Sequence, residues 1–263
     1  MSARAILRHL LNIRADFDEA SIDNLTDKTR FLASPHPIQE TDGDGVWHPP
    51  SPSTGSRRPP LRSRGSTRGS LVDENSQREL VFESRLERGL AEILKVRRDV
   101  RQIFDQPPPV IYRNDQGQAR THTFDFLVVT EGGRRQAIAV KPEAKIEPSG
   151  IREILAQIEM QVGARFADDY LLRTERHITH DQVFNARLIA RSRRSRDSRD
   201  IAAIREIADN LPGSVRIADI VRHSKLGARG FNALVCLIDD AWLEPVGTGR
   251  IDYITSVRRV LGI

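Results

Sequence analysis

Three side chains in this 263-residue chain have the types and spacing for chemistry: Glu83, Asp125 and Lys141. Asp125 is embedded in the run Phe124-Asp125-Phe126-Leu127-Val128-Val129. A carboxylate within an apolar strand is costly unless it is paired or binds a cation. Lys141 closes the similarly apolar run Ala137-Ile138-Ala139-Val140. Side chains alternate between the faces of a strand, so Asp125 shares a face with Leu127 and Val129, and Lys141 with Ala139 and Ala137. Antiparallel neighbours joined by a short turn would present Asp125 and Lys141 together. Glu83 and Glu87 are one helical turn apart, with Glu79 a turn earlier, so a helix packed on these strands can aim a carboxylate at Asp125. Two carboxylates and a main-chain carbonyl suit magnesium or manganese. A lysine beside them can orient a water and offset phosphate charge, which suits metal-assisted attack on a phosphodiester. A plainer reading uses the same residues: an Asp–Lys ion pair between strands and a solvated row of helix glutamates.

These residues need elements to hold them. An apolar stripe of Leu80, Phe82, Leu86, Leu90, Ile93 and Leu94 predicts a helix over 76–98, and Pro107 to Pro109 stop any continuation. Val110–Tyr112, His122–Thr130 and Gln136–Lys141 read as a three-stranded meander, with turn residues at Asn114–Gly117 and Glu131–Arg134. A helix over 149–163, a strand at Tyr170–Arg173 and a helix at Asp181–Ile189 complete an α/β domain spanning 74–192. The run 191–200 is a charged break, or an extension of the preceding helix. Helices at 201–210, 216–223 and 226–239 precede a hairpin whose strands start at Trp242 and Ile251. Three helices and a hairpin are the parts of a winged helix, placed at 199–263.

The formal net charge of +5 favours an anionic partner, nucleic acid first. The single cysteine, Cys236, excludes a disulfide framework and a cysteine-rich zinc site, and fits a reducing cytoplasm. No apolar run approaches the ~20 residues of a membrane span. The opening residues are basic and amphipathic, and lack the pattern of a signal peptide. Ile6, Leu7, Leu10, Leu11 and Ile13 suggest a short helix within an N-terminal segment, 1–40. Residues 49–70 hold five Pro, six Ser, three Gly and five Arg around one apolar residue. Such a stretch cannot offset its ordering entropy, so 41–73 is expected to be a disordered basic linker.

Several words, in order, resemble a known family. They are Phe82-Glu83-Ser84 with Leu86-Glu87, Gln106-Pro107, Tyr112, Phe124-Asp125-Phe126-Leu127 and Val140-Lys141-Pro142, followed by Thr174–Ile178 and Asn185–Leu188. Together they are similar to the N-terminal nuclease domain of TnsA-type transposon endonucleases, of the PD-(D/E)xK restriction-endonuclease-like superfamily. The resemblance covers 77–192. It implies a restriction-endonuclease-like core using magnesium or manganese. Glu83 takes the helix carboxylate position, Asp125 the central metal ligand and Lys141 the catalytic lysine, with the Val140 carbonyl as a further ligand. Phe124 stands where the family has proline. Ala139 stands where it has an acid or glutamine, which removes one metal ligand; Glu143 is a possible migrated substitute.

The family further implies cutting of transposon 5′ ends beside a DDE-type transposase, with a C-terminal domain that contacts DNA or other transposition proteins. Lys145, Arg187, Arg191, Arg229 and Arg250 are the basic side chains placed to meet phosphates, a solvated surface being the competing reading. Two alternatives stay open: an inactive restriction-like DNA-binding adaptor marked by Ala139, and a stand-alone restriction or defence nuclease.

Overall fold

The computed structural model describes residues 49–56 and 67–260. The N-terminal segment 1–40 with its expected helix, and much of the expected linker, lie outside the described residues. The described residues form two compact units, divided between His177 and Ile178.

The first unit opens with a hairpin. Strand β1 (Gly69–Asp73) pairs antiparallel with β2 (Arg78–Phe82), Gly69 facing Phe82 and Asp73 facing Arg78. Both strands correct the sequence reading, which puts 69–73 in a disordered linker and 78–82 in a helix. The apolar residues there have a period of two: Leu80 and Phe82 are buried while Glu79 and Val81 are only partly so. That alternation is the pattern of a half-buried strand. The helix begins only at α1 (Arg85–Val96), where the Ser84 hydroxyl accepts from the Glu87 amide as an N-cap.

The main sheet is built, in spatial order, from β3 (Val100–Asp105), β6 (Phe126–Thr130), β7 (Arg135–Val140) and β8 (Asp169–Arg173). The first three are antiparallel neighbours, and β8 runs parallel to β7. Parallel neighbours need a crossover, supplied by the one-turn helix α2 (Ile146–Ser149) and by α3 (Ile151–Gln161). Gly150, at φ +58°, makes the bend between them and divides the single helix expected over 149–163. Ile151, Leu155 and Ile158 of α3 share one buried cluster with Leu127, Val129, Ala137 and Ala139 of the sheet.

The three-stranded meander is corrected in two places. Strand β4 (Val110–Arg113) pairs with β5 (Ala119–His122) in a separate ribbon. The run 122–130 is broken at residues 123–125, between β5 and β6, so β6 pairs with β3 and β7. Asp125 therefore stands at the start of β6, at the end of the sheet rather than inside a strand.

The second unit contains α4 (His180–Arg194), α5 (Ser198–Asp209), α6 (Ile217–Ser224) and α7 (Ala228–Asp239). The charged run thus extends α4, and Asp197 caps α5 by accepting from the amides of Arg199 and Asp200. A small antiparallel sheet is formed by β9 (Val215–Arg216), β10 (Leu243–Pro245) and β11 (Ser256–Arg259), with β11 in the middle. The returning strand starts at Ser256 rather than Ile251. Asp252 explains the shift: its carboxylate accepts from the amides of Ile254 and Thr255, closing a local turn. Ile204, Ile217, Ile220, Leu234, Val235, Leu243, Ile251 and Val257 form the core of this unit. Cys236 is buried, as an apolar side chain on that helix face should be. Among the described residues, no helix is long and apolar enough to cross a membrane.

Candidate active site

The site lies at the end of the main sheet where β3 finishes and β6 begins. Asp125 closes the antiparallel pairing there: its amide donates to Ile138 O at 3.0 Å. Its carboxylate then takes the next amide along β7, with Val140 N donating to Asp125 Oδ2 at 2.6 Å. In a strand the N–H and C=O of one residue point to the same neighbour. The Val140 carbonyl therefore points to the side on which the Asp125 carboxylate sits. Lys141 follows at once, its amide donating to Arg173 O of β8 at 3.0 Å.

Glu83 arrives by another route. It is not on a helix, as its spacing suggests, but in the short link between β2 and Ser84. The helix glutamate Glu87 is taken: its Oε2 accepts from the Glu83 amide at 2.6 Å and secures the start of α1. Glu79 faces Val72 in the hairpin.

Gln106 joins the two carboxylate residues. Its main-chain amide donates to Asp125 O at 2.9 Å, and its side-chain Nε2 donates to Glu83 Oε1 at 3.0 Å. Gln106 has φ +40°, which is rare for a residue with a side chain, and Pro107 after it disfavours the ordinary helical conformation. Ser56 N donates to Gln106 O at 2.8 Å and helps hold that geometry. Next to it, Asp105 is wholly buried and accepts from Ser53 Oγ at 2.6 Å and Val81 N at 2.8 Å. Burial pushes the Asp105 carboxyl above the usual carboxylate range. Asp105 and Gln106 thus fasten both the segment around Ser53 and the strand leading to Glu83.

His122 is the residue that sequence reading misses. Its ring meets the Phe124 ring edge-on at 4.7 Å, and its Nε2 is buried without a hydrogen-bond partner. Burial first, then the positive charge of Lys141, push its pKa down to about 4, so the imidazole is neutral at physiological pH. The signal in the sequence is slight: the word His122-Thr123-Phe124-Asp125, ahead of the carboxylate.

Ala139 has become part of the core. It is 1% exposed and shares the buried cluster with Phe124 and Ile146. Glu143, the substitute the sequence offers, has its Oε1 paired with Arg176 at 3.3 Å and lines a groove with Tyr170 and His177. Among the described residues, no three His, Cys, Asp or Glu side chains come together as a metal cage. What is present is oxygen-rich: two carboxylates, the Val140 carbonyl and a buried, unpartnered amide oxygen on Gln106. That donor set fits a hard divalent cation.

Residues 97–182 match the family model described as TnsA-like endonuclease N terminal. Over that stretch the chain is similar to TnsA-like endonucleases. Gln106, Asp125, Val140 and Lys141 lie inside the matched TnsA-like segment, and Glu83 lies outside it, joined through Gln106. No curated protein matches the chain.

The basic residues assigned to DNA lie on other elements of the chain. Lys145 is exposed in a turn of 3-10 helix after Pro142. Arg187 and Arg191 are exposed on α4. Arg229 pairs with Asp200 at 3.6 Å. Arg250 pairs with Asp181 at 2.8 Å and lies over the Phe184 ring. Arg193 and Arg196, in the same charged run, are held by Asp239 and Asp240 at the end of α7.

Proposed function

We propose that this protein is a metal-dependent DNA endonuclease of the TnsA type, cutting transposon 5′ ends beside a DDE-type transposase. The observation that carries this reading is the linked set Glu83–Gln106–Asp125–Val140, with Lys141 next in the chain. Glu83, Asp125 and the Val140 carbonyl would hold magnesium or manganese, which supplies Lewis-acid stabilisation of charge on the scissile phosphate. Lys141 holds a water, or a phosphate oxygen, by its ammonium protons. The water oxygen adds to phosphorus and the P–O bond to deoxyribose breaks; one water proton ends on the departing oxygen, which leaves as a hydroxyl, and the other passes to solvent.

A winged-helix reading of the second unit, with a docking or DNA-binding role, is supported by the run of helices α5 to α7 and the small sheet of β9, β10 and β11. Within it the exposed Arg187 and Arg191 are the proposed phosphate contacts, with Lys145 in the first unit. Arg229 and Arg250 are each held by a carboxylate that DNA would have to displace, so their contribution is smaller.

The test is nicking of transposon-end DNA in manganese, with the cognate transposase present. Wild type should cut. Asp125→Asn and Lys141→Ala should each lose at least about 100-fold. A second reading rests on the buried Ala139: an inactive restriction-like adaptor that only binds DNA. Equal function in wild type and Asp125→Asn would establish the adaptor and end the nuclease reading.

A further inference from the structure

We propose that Gln106 supplies the oxygen ligand that position 139 no longer provides, so that one amide both holds Glu83 and binds the metal. This inference rests on the metal-dependent reading above. The lost ligand cannot return at Ala139, whose methyl is packed in the core. Glu143 is directed to Arg176, with which its Oε1 pairs at 3.3 Å.

Gln106 has the required properties. It is 4% exposed, and its Nε2 is spent on Glu83. Its Oε1 is buried with no hydrogen-bond partner. A buried amide oxygen left unpaired is costly, and such groups call for an absent water or ion. The backbone is pinned on both sides, by Asp125 O and by Ser56 N, in a left-handed conformation that a glutamine rarely adopts. Strain of that kind is retained where the side chain must be aimed. Magnesium and manganese are oxygen-seeking cations, and a neutral amide oxygen is a carbonyl donor of the kind they take. His122 Nε2 is also unpartnered, but a ring nitrogen is not the oxygen donor that magnesium takes. Gln106 instead bonds to both carboxylate residues.

The experiment titrates manganese chloride into the full chain by calorimetry, with the free-manganese electron paramagnetic resonance signal as a second readout. Four proteins are compared: wild type, Asp125→Asn, Gln106→Asn and Gln106→Glu. Asparagine tolerates positive φ but is one methylene shorter, so the fold should persist while the oxygen withdraws. Thermal melting checks this. Glutamate keeps the length and adds charge. The expected result is binding by wild type, none by Asp125→Asn, weakening of at least about tenfold in Gln106→Asn, and tightening in Gln106→Glu. Unchanged affinity in both Gln106 variants, with binding still lost in Asp125→Asn, overturns the role of Gln106 and leaves the metal reading standing. No binding by wild type or Gln106→Glu up to millimolar manganese overturns the metal reading itself.

Discussion

Asp125 and Val140 are joined by a 2.6 Å hydrogen bond from main-chain amide to carboxylate, which extends the β6–β7 ladder by a side chain. The same carboxylate therefore has a structural task beside its proposed chemical one. Asparagine can still accept from Val140 N, whereas alanine leaves that amide without its partner. Asp125→Ala should be less stable than Asp125→Asn by about 1–2 kcal/mol, read from urea midpoints. Equal stability would mean that the bond adds nothing to the fold, and that only the chemical task remains.

The Lys141 ammonium is one of the two causes that hold the His122 pKa at about 4. Replacing Lys141 by methionine removes the charge and keeps most of the volume. The His122 pKa should then rise, though burial keeps it below 6.5. Proton NMR of the imidazole from acid to neutral pH would detect this. An unmoved titration would place Lys141 away from His122 and from the site.

His122 also sets a pH dependence. Its folded pKa lies at about 4 and its unfolded pKa near 6.5. Between those values the unfolded chain binds more protons, so protonation favours unfolding. The contribution of His122 to stability should therefore rise with pH from 4 to 6.5 and level off above. The span is at most about 3 kcal/mol. His122→Phe should flatten that slope in denaturant melts at several pH values.

At the start of α1, Ser84→Ala removes the acceptor for the Glu87 amide and frees Glu87 from its reciprocal place. A cost of about 1 kcal/mol is expected. Because Glu83 is held by Glu87 through its own amide, manganese affinity should fall as well. A stability loss with unchanged affinity would show that Gln106 alone fixes Glu83.

Much of the site is legible in the residues themselves. Asp125 and Lys141 stand out because charge inside apolar runs needs a partner, and they fall where β6 begins and β7 ends. Glu83 is legible by its word, but its support is not. Leu80 and Phe82 fit a helical stripe when extended through Leu86 and Leu90, and only their tertiary burial selects the strand period. Strand β3 is hidden because Arg101 and Gln102 interrupt its apolar residues, and its pairing with β6 is a long-range contact that local pattern does not encode. The word containing Gln106 assigns that residue no task. Its place depends on a backbone turn at positive φ and on two partners distant in sequence, Glu83 and Asp125. For the arginines, sequence shows the charge but not the aspartates that pair with Arg193, Arg229 and Arg250.

The bond from Ser53 Oγ to Asp105 Oδ2 carries a lesson for trimming the chain. A fragment cut at the sequence-derived boundary, residue 74, would shed both Ser53 and the strand that pairs with β2. Asp105 would keep a buried carboxyl with one fewer donor, and β2 would become a bare edge open to neighbouring molecules. A piece of this domain that keeps these contacts begins ahead of Ser51, which bridges to Arg78, in a proline- and serine-rich stretch that composition alone would discard.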